Sequence, residues 1–392
     1  MDEDSESSIE ENGAEGDDGA GGGTDDGTDH ATPLRRGWTT GTCATAAARA
    51  ATEALFGGGF PDPVTVTLPG GQTPAFALAW TDQGQDEQGP WVAAGIVKDA
   101  GDDPDVTHGA LVRARVWRGP AGSGVTYRAG EGVGTVTLPG LPLAVGEPAI
   151  NPVPRAMIAQ AVTEAARLAG RPADLVVEVG VENGAVLAKR TMNGRLGILG
   201  GLSILGTTGI VVPYSCAAWI ASIQRGIDVA RAAGLTHVAA CTGDLSEKAV
   251  TARYGLPEQA LIDMGDFAGG TLKHLRRQPI ARLSLCGGFA KFGKLARGLM
   301  DLHSKRHSVD LDWLAERLAA LGASAELIAQ ARTANTAAQV LGMARDAGLP
   351  LADHVAELAR AAALATLDGA PVAVEVLITD RQGVIVGRAP GW

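Results

Sequence analysis

Aromatic residues make up only 4% of this 392-residue chain, and its basic residues are not interleaved with them. A nucleic-acid surface, which needs a basic face with stacking platforms, is therefore not expected. Cysteine is also scarce. Cys43, Cys216, Cys241 and Cys286 stand far apart, with no CxxC and no Cys/His spacing suited to zinc. The expectation is reduced thiols in the cytoplasm, with no disulfide and no structural metal. No basic n-region followed by an apolar h-region is present at the start, so a signal peptide is not expected. The apolar stretch 196–212 holds too many glycines to read as a membrane span, and strand-like runs flank it. A buried loop fits it better. Positive charge is missing from one end altogether. Residues 1–33 carry twelve acids and no Lys or Arg, which leaves 33 basic and 32 acidic residues (44 − 12) in the rest. The net charge of −11 thus belongs to a Gly-, Asp- and Glu-rich tail, expected to be disordered.

What remains is 45% hydrophobic over the whole length, enough for two cores. Residues 34–148 read as a β-rich α+β lobe. Its helix is "TGTCATAAARAATEALFGGG", with Thr40 or Thr42 as cap and Gly57–Gly59 as stop. Short alternating runs follow, from "VTVTL" to "GTVTL", and "DQGQDEQG" at 82–89 reads as an exposed loop. Residues 149–392 alternate strands with helices. That rhythm predicts βαβ units in a Rossmann-like α/β lobe with a mainly parallel sheet. Residues 311–366 read as all helix, and "PVAVEVLITD" as a strand on an edge. The fold class expected is mixed α/β.

Four stretches carry chemistry. "GGLSILGTTG" (200–209) belongs to a run with six glycines between Gly194 and Gly209. Glycine weakens helices and strands by roughly 0.5–1 kcal/mol relative to alanine. Either chains pack closely here, or a ligand meets the backbone; the density of the run favours the ligand. Neither GxGxxG nor GxxxxGK[ST] is matched. "CTGD" (241–244) and "LCGGFAK" (285–291) occupy the corresponding place after strands, where open α/β sheets bind ligands.

"KDAGDDPDVTHG" (98–109) crowds Asp99, Asp102, Asp103, Asp105 and His108 into one loop. Charges so dense need relief from a cation, backbone N–H groups or a basic side chain. A plain turn is the alternative to an acid/base or cation-facing loop. Residues 273–307 hold nine Lys or Arg and one acid. Lys291, Lys294 and Arg297 share a helix face, and His303, Lys305, Arg306 and His307 follow. This is either a solvated face or a clamp for a polyanion. "GWTTGTC" (37–43) puts Thr39, Thr40 and Thr42 at a helix start, where they cap it or bind an anion. Cys43 reads as inert and buried. His237, His274 and His354 have no partner spacing and read as structural.

Taken in order, "RGWTTGTCATAAARAA", "KDAGDDPDVTHG", "AINPVPRAMI", "GRLGILGGLSILGTTGIVVPYS", "MGDF" and "GKLARG" followed by "HS" resemble the CbiD family of anaerobic cobalamin biosynthesis. The resemblance runs from about Leu34 to the last strand. It implies methyl transfer from S-adenosylmethionine to C1 of cobalt-precorrin-5B, giving cobalt-precorrin-6A. Cobalt would arrive inside the substrate, with no metal ligands from the protein. Under that reading Gly200, Gly201, Ser203, Gly206, Thr207, Thr208, Gly209, Thr242 and Gly243 are assigned to the donor. Thr39, Thr40, Thr42, Lys291, Lys294, Arg297, His303 and Arg306 are assigned to the substrate. Asp102, Asp103 and His108 are the candidate bases. Other enzymes of the pathway are candidate partners. Asp266 stands where the family pattern has Asn, and Leu302 where it has Thr; the acidic tail and 82–89 read as local additions. Two rival readings are a tetrapyrrole carrier without catalysis and a nucleotide-dependent phosphotransferase.

Overall fold

A computed structural model of the chain describes residues 33–304, 306 and 308–392. The tail expected over 1–33, apart from Pro33, and Lys305 and His307 lie outside the described residues.

The first half is built on a five-stranded sheet. Strand β1 (Gly37–Trp38) leads into helix α1 (Thr40–Leu55), and β2 (Val64–Thr65) and β3 (Ala75–Phe76) form a short hairpin. Then come β4 (Trp80–Asp86), β5 (Gly89–Val97), β6 (Leu111–Arg118), β7 (Val125–Ala129) and the short β8 (Thr135–Val136). Helix α2 (Pro152–Leu168) precedes β9 (Leu175–Val181), which inserts between β6 and β7 to give the order β4-β5-β6-β9-β7. Period-two alternation sets the buried face. Val92, Ala94 and Ile96 of β5, Val112, Ala114 and Val116 of β6, and Val177 and Val179 of β9 all point into one core. Helix α1 lies on that face with α2 beside it. Its inward residues are small (Cys43, Ala44, Ala47, Ala48, Ala51), which lets the helix approach the strands closely. On the opposite face Arg115 stacks 4.4 Å from the Trp91 ring, and Arg113 lies 5.4 Å from Trp80.

Three expectations change here. The stretch 82–89 is exposed, but it forms the β4–β5 hairpin with Asp86 opposite Gly89. Strand β9 and helix α2 follow residue 148 yet belong to the first core, because β9 pairs antiparallel with β6 from Val112–Val181 to Arg118–Leu175. Thr39, rather than Thr40 or Thr42, caps α1, its hydroxyl accepting from Thr42 N at 3.2 Å.

Helix α3 (Gly184–Ala188), β10 (Ile198–Leu199) and β11 (Ile210–Val211) complete the first half, with β11 pairing back to β1. Helix α4 (Cys216–Ala232) opens the second. Its strands are β12 (His237–Cys241), β13 (Leu261–Asp263) and β14 (Arg282–Gly288); helices α5 (Asp244–Tyr254), α6 (Ala268–Arg277) and α7 (Phe289–Ala296) lie between and after them. Helices α8 (Leu311–Ala320), α9 (Ala325–Arg332), α10 (Ala337–Asp346) and α11 (Leu351–Leu367) make the expected helical segment. Strands β15 (Ala373–Thr379) and β16 (Ile385–Ala389) close the chain. The order β13-β12-β14-β15-β16 is parallel except for β16. Strand β15 is therefore interior, not an edge as expected, because antiparallel β16 pairs along its outer side. Helix α5 packs on one sheet face around Cys241, Cys286 and Leu377; α4, α6, α7 and α11 pack on the other around Ala240, Leu285 and Val376.

Candidate functional site

Parallel strands β12, β14 and β15 end together, at Cys241, Gly288 and Thr379. Beyond these ends lies a cavity of about 1100 Å³. Pockets for drug-sized ligands run from roughly 300 to 1,000 Å³, so this one is large. Neighbouring β12 and β14 lead into α5 and α7, which leave on opposite faces of the sheet. The chain diverges at this point, and such a switch point is where open α/β sheets bind ligands.

Thr242, Gly243, Gly288 and Lys291 line the cavity beside the strand ends, and Phe289, Leu341, Leu349 and Val386 supply apolar walls. The turn after β12 is pinned by the Ser246 hydroxyl, which donates to Gly243 O at 2.6 Å and accepts from Thr242 N at 3.2 Å. Lys291 Nζ donates to Thr242 O at 3.2 Å and lies 3.1 Å from Asp266 Oδ1. The Asp at position 266 thus serves as counter-ion to a cavity lysine. At the end of neighbouring β13, burial pushes the Asp263 carboxyl up from its ordinary value and Glu247 adds to the shift; Arg195 opposes it. The Asp263 carbonyl accepts from Trp219 Nε1 at 3.3 Å. Arg345 and Arg381 also line the cavity. Sequence reasoning passed over both, because an isolated arginine in a helix and another in a turn carry no spacing signal.

A second cluster sits at the start of α1. Lys98 is 2% exposed, and its Nζ donates to Asp105 Oδ2 at 2.5 Å, Thr107 Oγ1 at 2.5 Å and Thr40 Oγ1 at 3.3 Å. All three ammonium protons are thereby used. Burial works against the Asp105 carboxylate, but the Lys98 charge and the Thr107 donors outweigh it and keep its pKa low. Hydrogen bonds from Arg35 and from Gly101 N hold Asp99 down at about 2. The crowded acids are relieved by two basic side chains and by backbone N–H groups.

The candidate bases are placed in this loop closure. Asp102 accepts from Arg35 N at 2.6 Å, Asp103 from Tyr214 N at 2.8 Å, and His108 Nδ1 from Ala100 N at 3.1 Å. None of the three lines the cavity.

The glycine-rich run meets protein rather than open space at its critical positions. Gly206 and Gly209 have φ of 133° and 84°, and a Cβ on either would fall 2.8 Å from Thr39 Cγ2 or Thr42 Oγ1. Thr42 Oγ1 donates to Gly209 O at 2.7 Å. The backbone of this run therefore seals the end of α1, and that close approach requires the glycines. Ser203 accepts from Asn151, and Thr208 bonds its own turn at Ile210. Gly201 is buried, whereas Gly200 and Thr207 are exposed. Of the donor residues expected from sequence, Thr242 and Gly243 line the cavity and 200–209 do not.

The basic segment separates in the same way. Lys291 lines the cavity. Lys294 turns inward beside the buried stripe Phe289, Phe292 and Leu295; its Nζ donates to Leu302 O at 2.8 Å, and burial pushes its pKa down. The shared face expected for Lys291, Lys294 and Arg297 is thus divided. Arg297 pairs with Asp310 at 2.8 Å and Arg306 with Asp301 at 2.7 Å. His303 N donates to Asp301 at 3.0 Å, and the Leu302 side chain is fully buried. Cys43, Cys241 and Cys286 are buried, and burial pushes the Cys43 thiol to about 12. Among the described residues no group of three or more His, Cys, Asp or Glu is placed to hold a metal ion.

The CbiD family profile matches residues 27–213, and that of its C-terminal domain matches 301–390. The chain belongs to the CbiD family. The first CbiD match ends where the first core does, just after β11. A protein of Paramagnetospirillum magneticum named cobalt-precorrin-5B C(1)-methyltransferase is 61% identical over 91% of this chain and 98% of its own length. One of the same name from Rhodospirillum rubrum is 60% identical over 93% of this chain and 99% of its own length. A crystal structure described as a cobalamin biosynthesis protein from Archaeoglobus fulgidus is 28% identical, covering 70% of this chain and 83% of that one with a TM-score of 0.37. No helix among the described CbiD residues is long and apolar enough to cross a membrane.

Proposed function

We propose that this protein is a C-methyltransferase that moves a methyl group from S-adenosylmethionine to C1 of cobalt-precorrin-5B, giving cobalt-precorrin-6A, in the cytoplasm. What carries the reading is likeness at about 60% identity to relatives of that name over nearly their whole length. The cavity at the sheet switch point is the place for the chemistry.

The residues there suit a cationic donor. Gly243 has a φ of 154° and nothing within 4 Å of where a Cβ would stand, so a ligand can lie against its backbone. Asp263 is destabilised as an anion by burial and by Glu247, and a neighbouring positive charge relieves that strain. Thr242 and Gly243, on the cavity lining, are therefore the donor-holding residues in this reading; Asp263 ends the neighbouring strand outside that lining and acts on the donor through its charge. When bound, the donor supplies an electrophilic methyl on a sulfonium. The chain's own contribution is positioning and water exclusion, effects that reach several kcal/mol in well-oriented sites. Phe289, Leu341 and Leu349 exclude water from the walls. Lys291, its charge balanced by Asp266 and its Nζ held by Thr242 O, offers its remaining N–H to the ring substituents. Cobalt belongs to the substrate.

The test is direct. Purified protein is incubated without oxygen with cobalt-precorrin-5B and methyl-labelled S-adenosylmethionine, and the tetrapyrrole is analysed by mass spectrometry. One labelled methyl located at C1 is expected. Tetrapyrrole bound but unlabelled would replace this reading with that of a carrier.

A further inference from the structure

The basic groups of the second half are not equally available. Arg297, Arg306 and Arg388 are paired with Asp310, Asp301 and Glu375. Lys294 is spent on a carbonyl. On the cavity lining the position differs. Arg345, in the last turn of α10, and Arg381, in the turn between β15 and β16, are both exposed, and among the described residues no ion pair or hydrogen bond engages either guanidinium. Three acids, Asp244, Asp353 and Asp380, also line the cavity, and two of them accept from backbone N–H groups. Asp353 accepts from Arg388 N at 2.7 Å, and Asp380 from Gln382 N and Val384 N at 2.9 Å each. Two unpaired guanidiniums thus share a large cavity with Lys291 and with a wall of Leu245, Phe289, Leu341 and Leu349.

Apolar walls and unpaired guanidiniums on one cavity ask for a ligand with the same division. It should have an extensive apolar body and several carboxylates at its edge. A guanidinium fork binds a carboxylate bidentately, which gives orientation as well as affinity.

We propose that Arg345 and Arg381 form a carboxylate clamp that seats a flat polycarboxylated macrocycle in the cavity at the ends of β12, β14 and β15. This rests on the methyltransferase reading for the identity of the natural ring, cobalt-precorrin-5B, and adds which residues select it. The clamp acts on the ring substituents, away from the carbon that receives the methyl. Both arginines are exposed, so neutral replacements leave the cores untouched.

The experiment has two arms on the full-length protein. In the first, Arg345→Gln, Arg381→Gln and the double variant are titrated with uroporphyrin, which carries eight carboxylates, and with coproporphyrin, which carries four, by fluorescence quenching. Wild type should bind uroporphyrin more tightly. Each single variant should lose roughly five- to tenfold in affinity for uroporphyrin. The double variant should lose most of the preference, and Arg345→Lys should restore part of the affinity. In the second arm, steady-state methylation should show a raised KM for cobalt-precorrin-5B, with kcat and the KM for S-adenosylmethionine unchanged. Unaltered uroporphyrin binding in the double variant, or no uroporphyrin binding by wild type, overturns the clamp. Wild-type methylation with no change of tetrapyrrole KM in the variants overturns the clamp alone. Arginine-dependent porphyrin binding without any methyl transfer keeps the clamp and overturns the methyltransferase reading.

Discussion

The Lys98 ammonium lies 2.5 Å from the Asp105 carboxylate, in a buried pocket that also holds the Thr40 and Thr107 hydroxyls. Removing one partner strands the other. Lys98→Met should destabilise the protein by about 3–5 kcal/mol, read from denaturant unfolding. The same pair sets an acid dependence. Asp105 is held below its ordinary value of 3.8, so its contribution is complete above that pH and disappears as pH falls through the lowered value. Asp105→Asn should therefore be less stable at pH 7 and should lose less stability than wild type below pH 4. Parallel wild-type and variant acid limbs would contradict this.

Close approach of Gly206 and Gly209 to Thr39 and Thr42 makes a graded prediction for alanine. At Gly209 both a φ of 84° and the Thr42 hydroxyl oppose a Cβ, and the loss should be about 2–3 kcal/mol. Gly200 has a similar φ of 87° but open space around it, so Gly200→Ala should cost about 1 kcal/mol. Melting temperatures of the two variants would rank them. Equal losses would show that the glycines answer only to backbone conformation.

Asp263 titrates in the opposite sense from Asp105. Its carboxyl is raised above 3.8, so it loses its charge at a higher pH than an ordinary aspartate. If it faces the sulfonium, affinity for S-adenosylmethionine should fall as pH drops through that raised value. Asp263→Asn should bind the donor about fivefold more weakly at pH 7 and show no such fall. Calorimetric titration at several pH values measures both, and an unchanged pH profile in the variant would remove Asp263 from the donor site.

Thiol reactivity should follow burial. Cys216 is exposed at the first turn of α4, whereas Cys43, Cys241 and Cys286 are buried and burial pushes all three thiols up. Brief alkylation of the native protein should label Cys216 alone, and labelling after unfolding should reach all four cysteines. Peptide mapping that finds Cys43 labelled in the native protein would show that α1 opens.

Local pattern carried much of this fold. Gly57–Gly59 ended α1, and alternation marked β5 and β6. What it could not show was partnership. Leu175–Val181 reads as a buried strand in either half, and only its pairing with β6 assigns it to the first core. Lys98 was legible in principle. It continues the period-two series Val92, Ala94, Ile96 on the inward face, but four neighbouring acids and His108 gave a signal of charge instead of register. The cavity lining was legible where it followed strands, at Thr242, Gly243 and Lys291. Arg345 and Arg381 meet there only because α10 and the turn after β15 converge in three dimensions.

The pairing of β1 with β11 also sets a timetable. Gly37 needs Val211, and β6 needs β9, before their backbone groups find partners. A ribosome adds about 5–20 residues per second, so the first sheet waits roughly 3–12 seconds with β6 unpaired along one side. During that interval the nascent chain presents an apolar strand edge, open to chance pairing with neighbours on the same message. Slowing translation ahead of residue 175 should lower the soluble yield, while moving the same pause beyond residue 211 should spare it.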